Sequence, residues 1–380
     1  MSVPHRCWAE VDLNALRQNL LWLRHAAGPD TRIMTVVKAD AYGHGLKQIA
    51  ALLMQSGADA FGVANLTEAR AIRSVGKGWP ILMLGACLPD EIDLAVRDNV
   101  MATVSSLAEA EAFSYAAAKR RKPAKVQLKI DTGMGRIGAA PDNAVELAER
   151  IRQLPYIELV GLWTHYRSVE DDSKTTAAQR NAFKGVLTGM NRAGIKFDYI
   201  HSGNSGALLW ERDKVSNTIR PGLLVYGVIP PSSRPTPQTL KSNLAPAMTL
   251  KTRVSFVKSA PKGTPLSYGG TFVTPRRMKI ATLSAGYGDG LPRNASDGAK
   301  VLIHGTRCRI VGRITMDQSL VDVSRLAGVA SGDEAVLFGS QGAKVLAVEE
   351  VARWCDTIPW EILTRVTERA PRIYLGGHAA

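Results

Sequence analysis

The feature that most constrains the fold is an alternation along the first two thirds of the chain. Short β-branched runs are followed repeatedly by alanine- and leucine-rich amphipathic stretches. The runs are Arg32–Val37, Ala60–Val63, Ile81–Leu84, Ala102–Val104, Val126–Ile130, Leu159–Trp163, Tyr199–Ile200 and Asn217–Ile219. Between them lie stretches such as "GLKQIAALLMQSG" and "NAVELAERIRQL"; the first ends on Gly57, a residue suited to a helix C-terminus. Eight strand–helix units in series predict an α/β fold, a (β/α)8 barrel.

The texture then changes. "VIPPSSRPTPQTLKSNLAPAM" is rich in proline and reads as a linker. Beyond it, "LKTRVSFVKSA", "RMKIATLS", "KVLIHGTRCRIVGRI" and "EAVLFG" are short strand-like pieces separated by turn signals, with one helix expected over Val348 to Trp354. The expected organisation is a barrel over residues 1–240 and a mostly-β domain over 241–380, with the first few residues packing on the β domain. A chain of 380 residues suits one large and one smaller domain. No apolar stretch approaches the ~18 residues that span a bilayer. The N-terminus "MSVPHRCWAEVDLNAL" has no apolar signal core. Cys7, Cys87, Cys308 and Cys355 are scattered without CxxC or CxxH spacing, so neither a disulfide framework nor a metal site is expected. These features point to a reducing cytoplasm. The formal charge of +14 raises the question of nucleic acid. The cations are dispersed, however, and the densest run, Lys119 to Lys122, sits where an alanine-rich helix should end and cations suit its dipole. A solvated basic surface, content with an anionic small ligand, is the expectation.

Chemistry in such a barrel sits at the C-terminal ends of the strands. Here those ends are polar in a repeated way. The first gives "TVVKADAYGHG", a buried-looking run that stops at Lys38 and enters a glycine-rich turn carrying Tyr42. The fifth gives "LKIDTGMGRIG" with Lys129, Asp131 and Arg136; the sixth, "GLWTHY" with His165. The seventh gives "HSGNSGALL" with His201, Asn204 and Ser205, and the eighth "IRPGLLVYG" with Arg220, Gly222 and Tyr226. A lone histidine or arginine after a strand is usually structural; five of eight strands ending this way is harder to explain so. "GMGRIG" matches G-x-G-x-x-G, but it falls mid-barrel rather than in a first βαβ unit, so a nicotinamide site is not expected. "GNSG" and "RPG" lie after the last strands, where barrels bind phosphate through backbone N–H groups. A lysine aimed into a pocket with a phosphate cradle across its mouth suggests a phosphorylated aldehyde held as a Schiff base, hence pyridoxal phosphate (PLP).

The chain resembles the bacterial alanine racemase family of fold-type III PLP enzymes. "VVKADAYGHG" is similar to the family's PLP-attachment signature, and "LKIDTGMGRIG", "THY", "HSGNSG", "RPGLLVYG", "LSYGGTF", "GYGDGLPR", "GRITMDQ" and "APRIY" follow in family order from end to end. The resemblance implies that Lys38 carries PLP and is one catalytic base, with Tyr268 the second, supplied by the other subunit of a homodimer. It implies that Tyr42, Asn204, Ser205, Gly222 and Leu223 serve the cofactor, most of them at its phosphate, and that Arg220, linked to His165, faces the pyridine nitrogen. Arg136 would sit near the substrate carboxylate, and Lys129 matches a position that some members carbamylate. Tyr287, Met316 and Asp317 would line the site from the partner, with Arg293 and Arg313 at the substrate entrance. The implied activity is interconversion of L- and D-alanine, which supplies peptidoglycan.

Racemisation needs a proton removed from one face of Cα and returned on the other, so two bases fit. Four positions depart from the usual family pattern: Asp40 for asparagine, Gly206 for alanine, Thr315 for cysteine, and Trp360 where a tyrosine hydroxyl normally reaches the phosphate. Trp360 puts substrate range and cofactor affinity in question. The competing readings are a racemase with shifted substrate such as serine, a PLP-dependent decarboxylase (opposed by Arg220), a non-catalytic PLP carrier (opposed by the whole β domain) and, more distantly, a nucleic-acid protein.

Overall fold

The computed structural model describes residues 5–211, 215–235, 243–296 and 298–376. Strand β1 is Cys7–Asp12. Eight strands follow: β2 Arg32–Val36, β3 Ala60–Val63, β4 Ile81–Ala86, β5 Met101–Val104, β6 Ala124–Lys129, β7 Ile157–Trp163, β8 Tyr199–His201 and β9 Thr218–Ile219. They pair in parallel in the order β8-β7-β6-β5-β4-β3-β2-β9. The runs read from sequence match these strands to within two residues at either end. The ends of that order, β8 and β9, meet through the Asn217 N–H on the Ile200 carbonyl (3.0 Å), the Arg220 N–H on the Gly203 carbonyl (3.2 Å) and the Ile200 N–H on the Asn217 side chain (2.8 Å).

Side chains alternate along a strand, so residues two apart share the barrel interior. In the N-terminal half of the strands Met34, Ala60, Leu82 and Met101 form a buried cluster of their own, with Val160 and Tyr199 packed on it. Toward the strand C-termini the interior turns polar: Gln127 and Lys129 of β6 and His201 of β8 are fully buried beside Trp163 of β7. The apolar layer closes one end of the barrel, and the polar layer floors the other.

The second domain contains β10 Met248–Ala260, β11 Pro265–Leu266, β12 Phe272–Val273, β13 Met278–Leu283, β14 Lys300–Ile303, β15 Thr306–Ile310, β16 Ser319–Asp322, β17 Glu334–Gln341, β18 Lys344–Leu346 and β19 Arg372–Leu375. Nine strands form one sheet in the order β18-β17-β14-β15-β16-β13-β10-β1-β19. β17 pairs with β10 as well as with β14, which folds the sheet back on itself. β1 is part of this sheet, antiparallel to β10 and parallel to β19. From β1 the chain enters the barrel through helix Leu13–Ala27, whose first N–H groups are capped by the Asp12 carboxylate. The helix over Val348–Trp354 is present, and a second short helix, Pro359–Thr364, follows it. Within the proline-rich stretch, residues 236–242 and with them the expected 240/241 boundary lie outside the described residues. Its start is pinned to the barrel: Arg234 donates to Glu211 (3.1 Å) and to the carbonyls of Val169 and Trp210. Glu211, nearly buried, also accepts Arg180 (2.6 Å). No helix among the described residues is long and apolar enough to cross a membrane.

Candidate active site

β2 ends one residue before Val37, and Lys38 opens a turn of unusual form. Ala39, Asp40, Ala41 and Tyr42 all have φ between 52 and 54° and ψ between 41 and 56°, one turn of left-handed helix. L-residues avoid that conformation by about 1–2 kcal/mol each. Tertiary bonds hold it. The Ala39 N–H donates to Glu68 (2.7 Å) and the Leu46 N–H to Asp40 (2.7 Å). The His44 Nδ1–H donates to the Ala41 and Tyr42 carbonyls (3.0 and 2.9 Å). From β19, Arg372 donates to the Gly43 carbonyl (2.8 Å) and Tyr374 to that of His44 (3.1 Å). Gly43 is obligatory, because a Cβ there would lie 2.3 Å from the Leu363 carbonyl oxygen. The turn sends Tyr42 onto Tyr226 (ring centroids 4.8 Å apart), and Tyr226 onto His44 (4.5 Å). Burial pushes the His44 imidazole down to about 4.

Lys38 opens into a cavity of about 610 Å³ at the C-terminal ends of the barrel strands. Tyr42, Ser205, Asn204, Gly222 and Leu223 line one part of it. Arg136, His165, Arg220, Trp163 and Trp360 are among its other lining residues. At the first part, the Ser205 hydroxyl accepts the Gly222 and Leu224 N–H groups (2.9 and 3.4 Å). Asn204 accepts the Ala207 N–H (3.1 Å). A Cβ on Gly222 would lie 2.5 Å from the Tyr42 hydroxyl, so glycine is what lets the phenol come so close.

Arg220, fully buried, donates to the carbonyls of Thr164 (2.9 Å) and Ser202 (3.0 Å), to Nδ1 of His165 (3.1 Å) and to Nδ1 of His201. Arginine has no acceptor, so both Nδ1 atoms accept and both imidazoles carry their proton on Nε2. His201 passes its Nε2–H to the Gln127 carbonyl oxygen (2.7 Å). Burial first, and the Arg220 charge second, hold both histidines well below the usual imidazole range, so they are neutral. Gly161 leaves the room for Gln127: a Cβ there would lie 2.6 Å from its side chain. His201 was visible in the sequence as a strand-end polar residue without a role; Gln127 was missed, and the available signal was an amide two residues before Lys129, on the same face of β6.

Two cations, Arg220 and Lys129, each lie over the Trp163 ring, 4.9 Å from its centroid. Its indole N–H is buried without a protein partner. Lys129 donates to the Ile137 carbonyl (2.9 Å). Burial, then the charges of Arg136 and Arg220, push it down to about 8. Lys38 is likewise lowered, by burial and then Arg136, with Glu68 opposing. Arg136 stands on the "GMGRIG" loop. Its amides at Gly133, Met134 and Gly135 donate to the Asp131 carboxylate at 2.9–3.1 Å. An internal acid thus occupies the N–H groups that a pyrophosphate would need.

Comparison with known proteins agrees with this geometry. Residues 11–230 match the family profile "Alanine racemase, N-terminal domain" and residues 247–374 the profile "Alanine racemase, C-terminal domain". The chain belongs to the alanine racemase family. It is 39% identical over 375 residues to an alanine racemase of Methanococcus maripaludis, covering 98% of this chain and 100% of that one. It is 41% identical over 372 residues to one of Desulforamulus reducens, covering 97% and 99%. The crystal structure of an alanine racemase from Streptomyces lavendulae superposes with a TM-score of 0.92 at 35% identity, covering 99% of each chain.

Racemases of this family work with PLP, and the cavity fits it. It pairs an amine at its wall with polar donors around Ser205 and Gly222. Its lining also includes the cation Arg220 and Trp163, whose buried indole N–H has no protein partner. Among the described residues no cluster of three or more His, Cys, Asp and Glu could hold a metal ion.

The remaining racemase positions lie elsewhere in the chain. Tyr268 opens a short turn, Tyr268–Gly270, and is 72% exposed. With Asp317 it lines a separate depression of about 1230 Å³ on the β domain. Tyr287 and Met316 are also exposed, on two loops joined by the Tyr287 N–H on the Thr315 carbonyl (3.1 Å) and the Gly288 N–H on that of Met316 (2.9 Å). Asp317 pairs with Arg369 (2.7 Å). Within one chain these four do not enter the Lys38 cavity.

The departures have local explanations. The Asp40 carboxylate caps Leu46. The Thr315 hydroxyl closes a turn by donating to the Gln318 carbonyl (2.9 Å) and accepting its N–H (3.1 Å). At Gly206 a Cβ would lie 2.5 Å from the Glu170 carboxylate. Trp360 stands at the cavity wall on the helix Pro359–Thr364, half-buried against the core.

Proposed function

We propose that the protein is a PLP-dependent alanine racemase. It interconverts L- and D-alanine by exchanging the Cα proton between two faces, in a homodimer whose sites are shared. The observation that carries this reading is the cavity lined by both Lys38 and a buried, four-way hydrogen-bonded Arg220. Bound PLP supplies an electron-withdrawing ring that acidifies the substrate Cα. The chain's residues do the rest. Lys38 holds the cofactor and serves one face of Cα. Tyr268, brought by the second protomer, serves the other. Tyr42, Ser205, Asn204, Gly222 and Leu223 hold the phosphate end, and Trp360 adds its indole edge. Arg220 keeps its proton, because guanidinium does not deprotonate near neutrality. Facing the cofactor's ring nitrogen, such a guanidinium would have no proton to give it, which would restrain side reactions. His165 and His201 are neutral acceptors that fix the plane of that guanidinium. Arg136 takes the substrate carboxylate; the Lys129 amine, lowered to about 8, would support it once converted by carbon dioxide to an anionic carbamate. Tyr287, Met316 and Asp317 line the substrate's path. The enzyme works in the cytoplasm, and its D-alanine feeds peptidoglycan.

The test is direct. Purified protein should be yellow, and borohydride should fix a pyridoxyl group on the Lys38 peptide. Chiral analysis across a panel of L-amino acids should give D-alanine as the main product. Label on another lysine sinks the site assignment; absence of D-alanine sinks the activity.

A further inference from the structure

β3 ends at Val63, and helix Leu66–Arg73 begins three residues on, capped by Asn65, whose side chain accepts the Glu68 N–H (2.9 Å). An acid at this third helical position usually turns back to the cap residue's own N–H. Glu68 does something else. One carboxylate oxygen accepts the Ala64 N–H (2.7 Å), and the other reaches across to the preceding barrel loop and accepts the Ala39 N–H (2.7 Å). A single carboxylate thus ties together the loops that follow β2 and β3. Its grip falls on the first residue of the left-handed turn, next to Lys38. The other supports of that turn act further along, at Asp40, Gly43 and His44. Burial and then the Arg136 charge lower the Lys38 amine, and the Glu68 charge acts in the opposite sense.

We propose that Glu68 is a positioning residue for Lys38: by binding the Ala39 and Ala64 N–H groups it holds the lysine-bearing turn left-handed, and through the Ala39 bond it keeps a negative charge one residue from Lys38. Four residues at positive φ would relax without such anchors. The lysine would then leave its line of approach, and a misplacement of about 1 Å in a reacting group can cost roughly a hundredfold. The proposal rests on the reading of Lys38 as the racemase amine.

The experiment separates the two. In apoprotein, the acetylation rate of Lys38 by acetic anhydride is followed against pH on its isolated peptide. Glu68→Gln keeps an acceptor and removes the charge. Its Lys38 labelling curve should move to lower pH, so that labelling at neutral pH rises roughly three- to tenfold. In holoenzyme kcat should fall about tenfold with KM changed less. Glu68→Ala should lose more. Adding Ala39→Gly, a residue that takes positive φ freely, should recover part of kcat while leaving the labelling shift in place. Should the alanine variants not fold, Glu68→Asp keeps the charge and shortens the reach; its kcat should fall with the labelling curve close to wild type. A Glu68→Gln curve that coincides with wild type, with kcat unchanged, makes Glu68 a helix cap and overturns the proposal. If the wild-type chain shows no racemisation, the functional reading fails, yet the labelling curves still decide the role of Glu68.

Discussion

The barrel mouth and the Tyr268 face of the β domain carry the two halves of one predicted site, and they are built oppositely. At the mouth, polar groups are buried and mostly engaged: Gln127, His201, Arg220 and His165 form one chain of hydrogen bonds, and Lys129 and Arg220 both lie over one indole ring, whose own N–H has no protein partner. On the β domain Tyr268, Tyr287 and Met316 stand in solvent, and only their backbones and the Asp317–Arg369 pair are fixed. Buried polar networks rigidify because every unpaired member costs free energy. The mouth is therefore organised by a single chain, whereas the Tyr268 face is a firm scaffold whose working side chains gain a defined environment only when something covers them. In the reading proposed here, that cover is the mouth of a second copy.

The largest effect should come from the organised half. Lys38→Ala should reduce racemisation by at least ~10³-fold, within the range that proton-transfer and covalent roles supply together, and should abolish borohydride labelling. Next, Tyr268→Phe should cost ~10²–10³-fold. Mixed with Lys38→Ala protein under proven subunit exchange, it should regain activity in part. No recovery would break the comparison, because each chain would then be completing its own site. Third, Arg220→Gln should raise the titration of His165 and His201 toward the ordinary imidazole value, read by NMR. They should stop short of it, since burial rather than the guanidinium is the larger cause.

Acid should separate the halves as well. His44 falls from about 6.5 in the unfolded chain to about 4 in the folded one, and His165 and His201 are depressed in the same sense. The unfolded state then binds more protons between those values. Their contribution to stability is present above about pH 6.5 and is lost as pH falls toward 4. For His44 alone this amounts to roughly 3 kcal/mol. All three belong to the barrel, so calorimetry between pH 7 and 4.5 should show barrel probes such as Trp163 losing structure ahead of the β domain. A simultaneous loss would mean that the halves melt as one unit. The smallest effect should come from Trp360→Tyr, which adds a hydroxyl and frees space at the cavity wall. A roughly tenfold change in PLP affinity or in the alanine-to-serine ratio of kcat/KM is expected. If neither moves, Trp360 is a packing residue.

Local pattern made the barrel legible, because β-branched runs and amphipathic stretches record burial on two faces. It placed even β8 and β9, which are three and two residues long. Lys38 and Arg220 were legible as charges ending apolar runs. The Gln127–His201 bond was not, since it joins residues 74 positions apart and nothing near either one announces the other. Glu68 was not singled out in the sequence, because its second partner lies on a different loop. The left-handed form of "ADAY" was hidden for a related reason: bonds from Glu68, Leu46, His44 and β19 make that conformation tolerable, and among the four only Asp40 is of a type that visits it at times. Pro359–Thr364 was too short to show a helical period.

The pairing of β1 with β10 and β19 also sets an order of events during synthesis. β1 is made first, yet Cys7 cannot meet Thr252 until the whole barrel has been threaded between them. The barrel is in effect an insertion within the β domain's sheet. A nascent chain paused after β9 should hold a formed barrel with β1 as a loose leading strand, its edge groups open to wrong partners until β10 arrives. Deleting or mispairing β1 should then damage the far domain rather than the one that directly follows it.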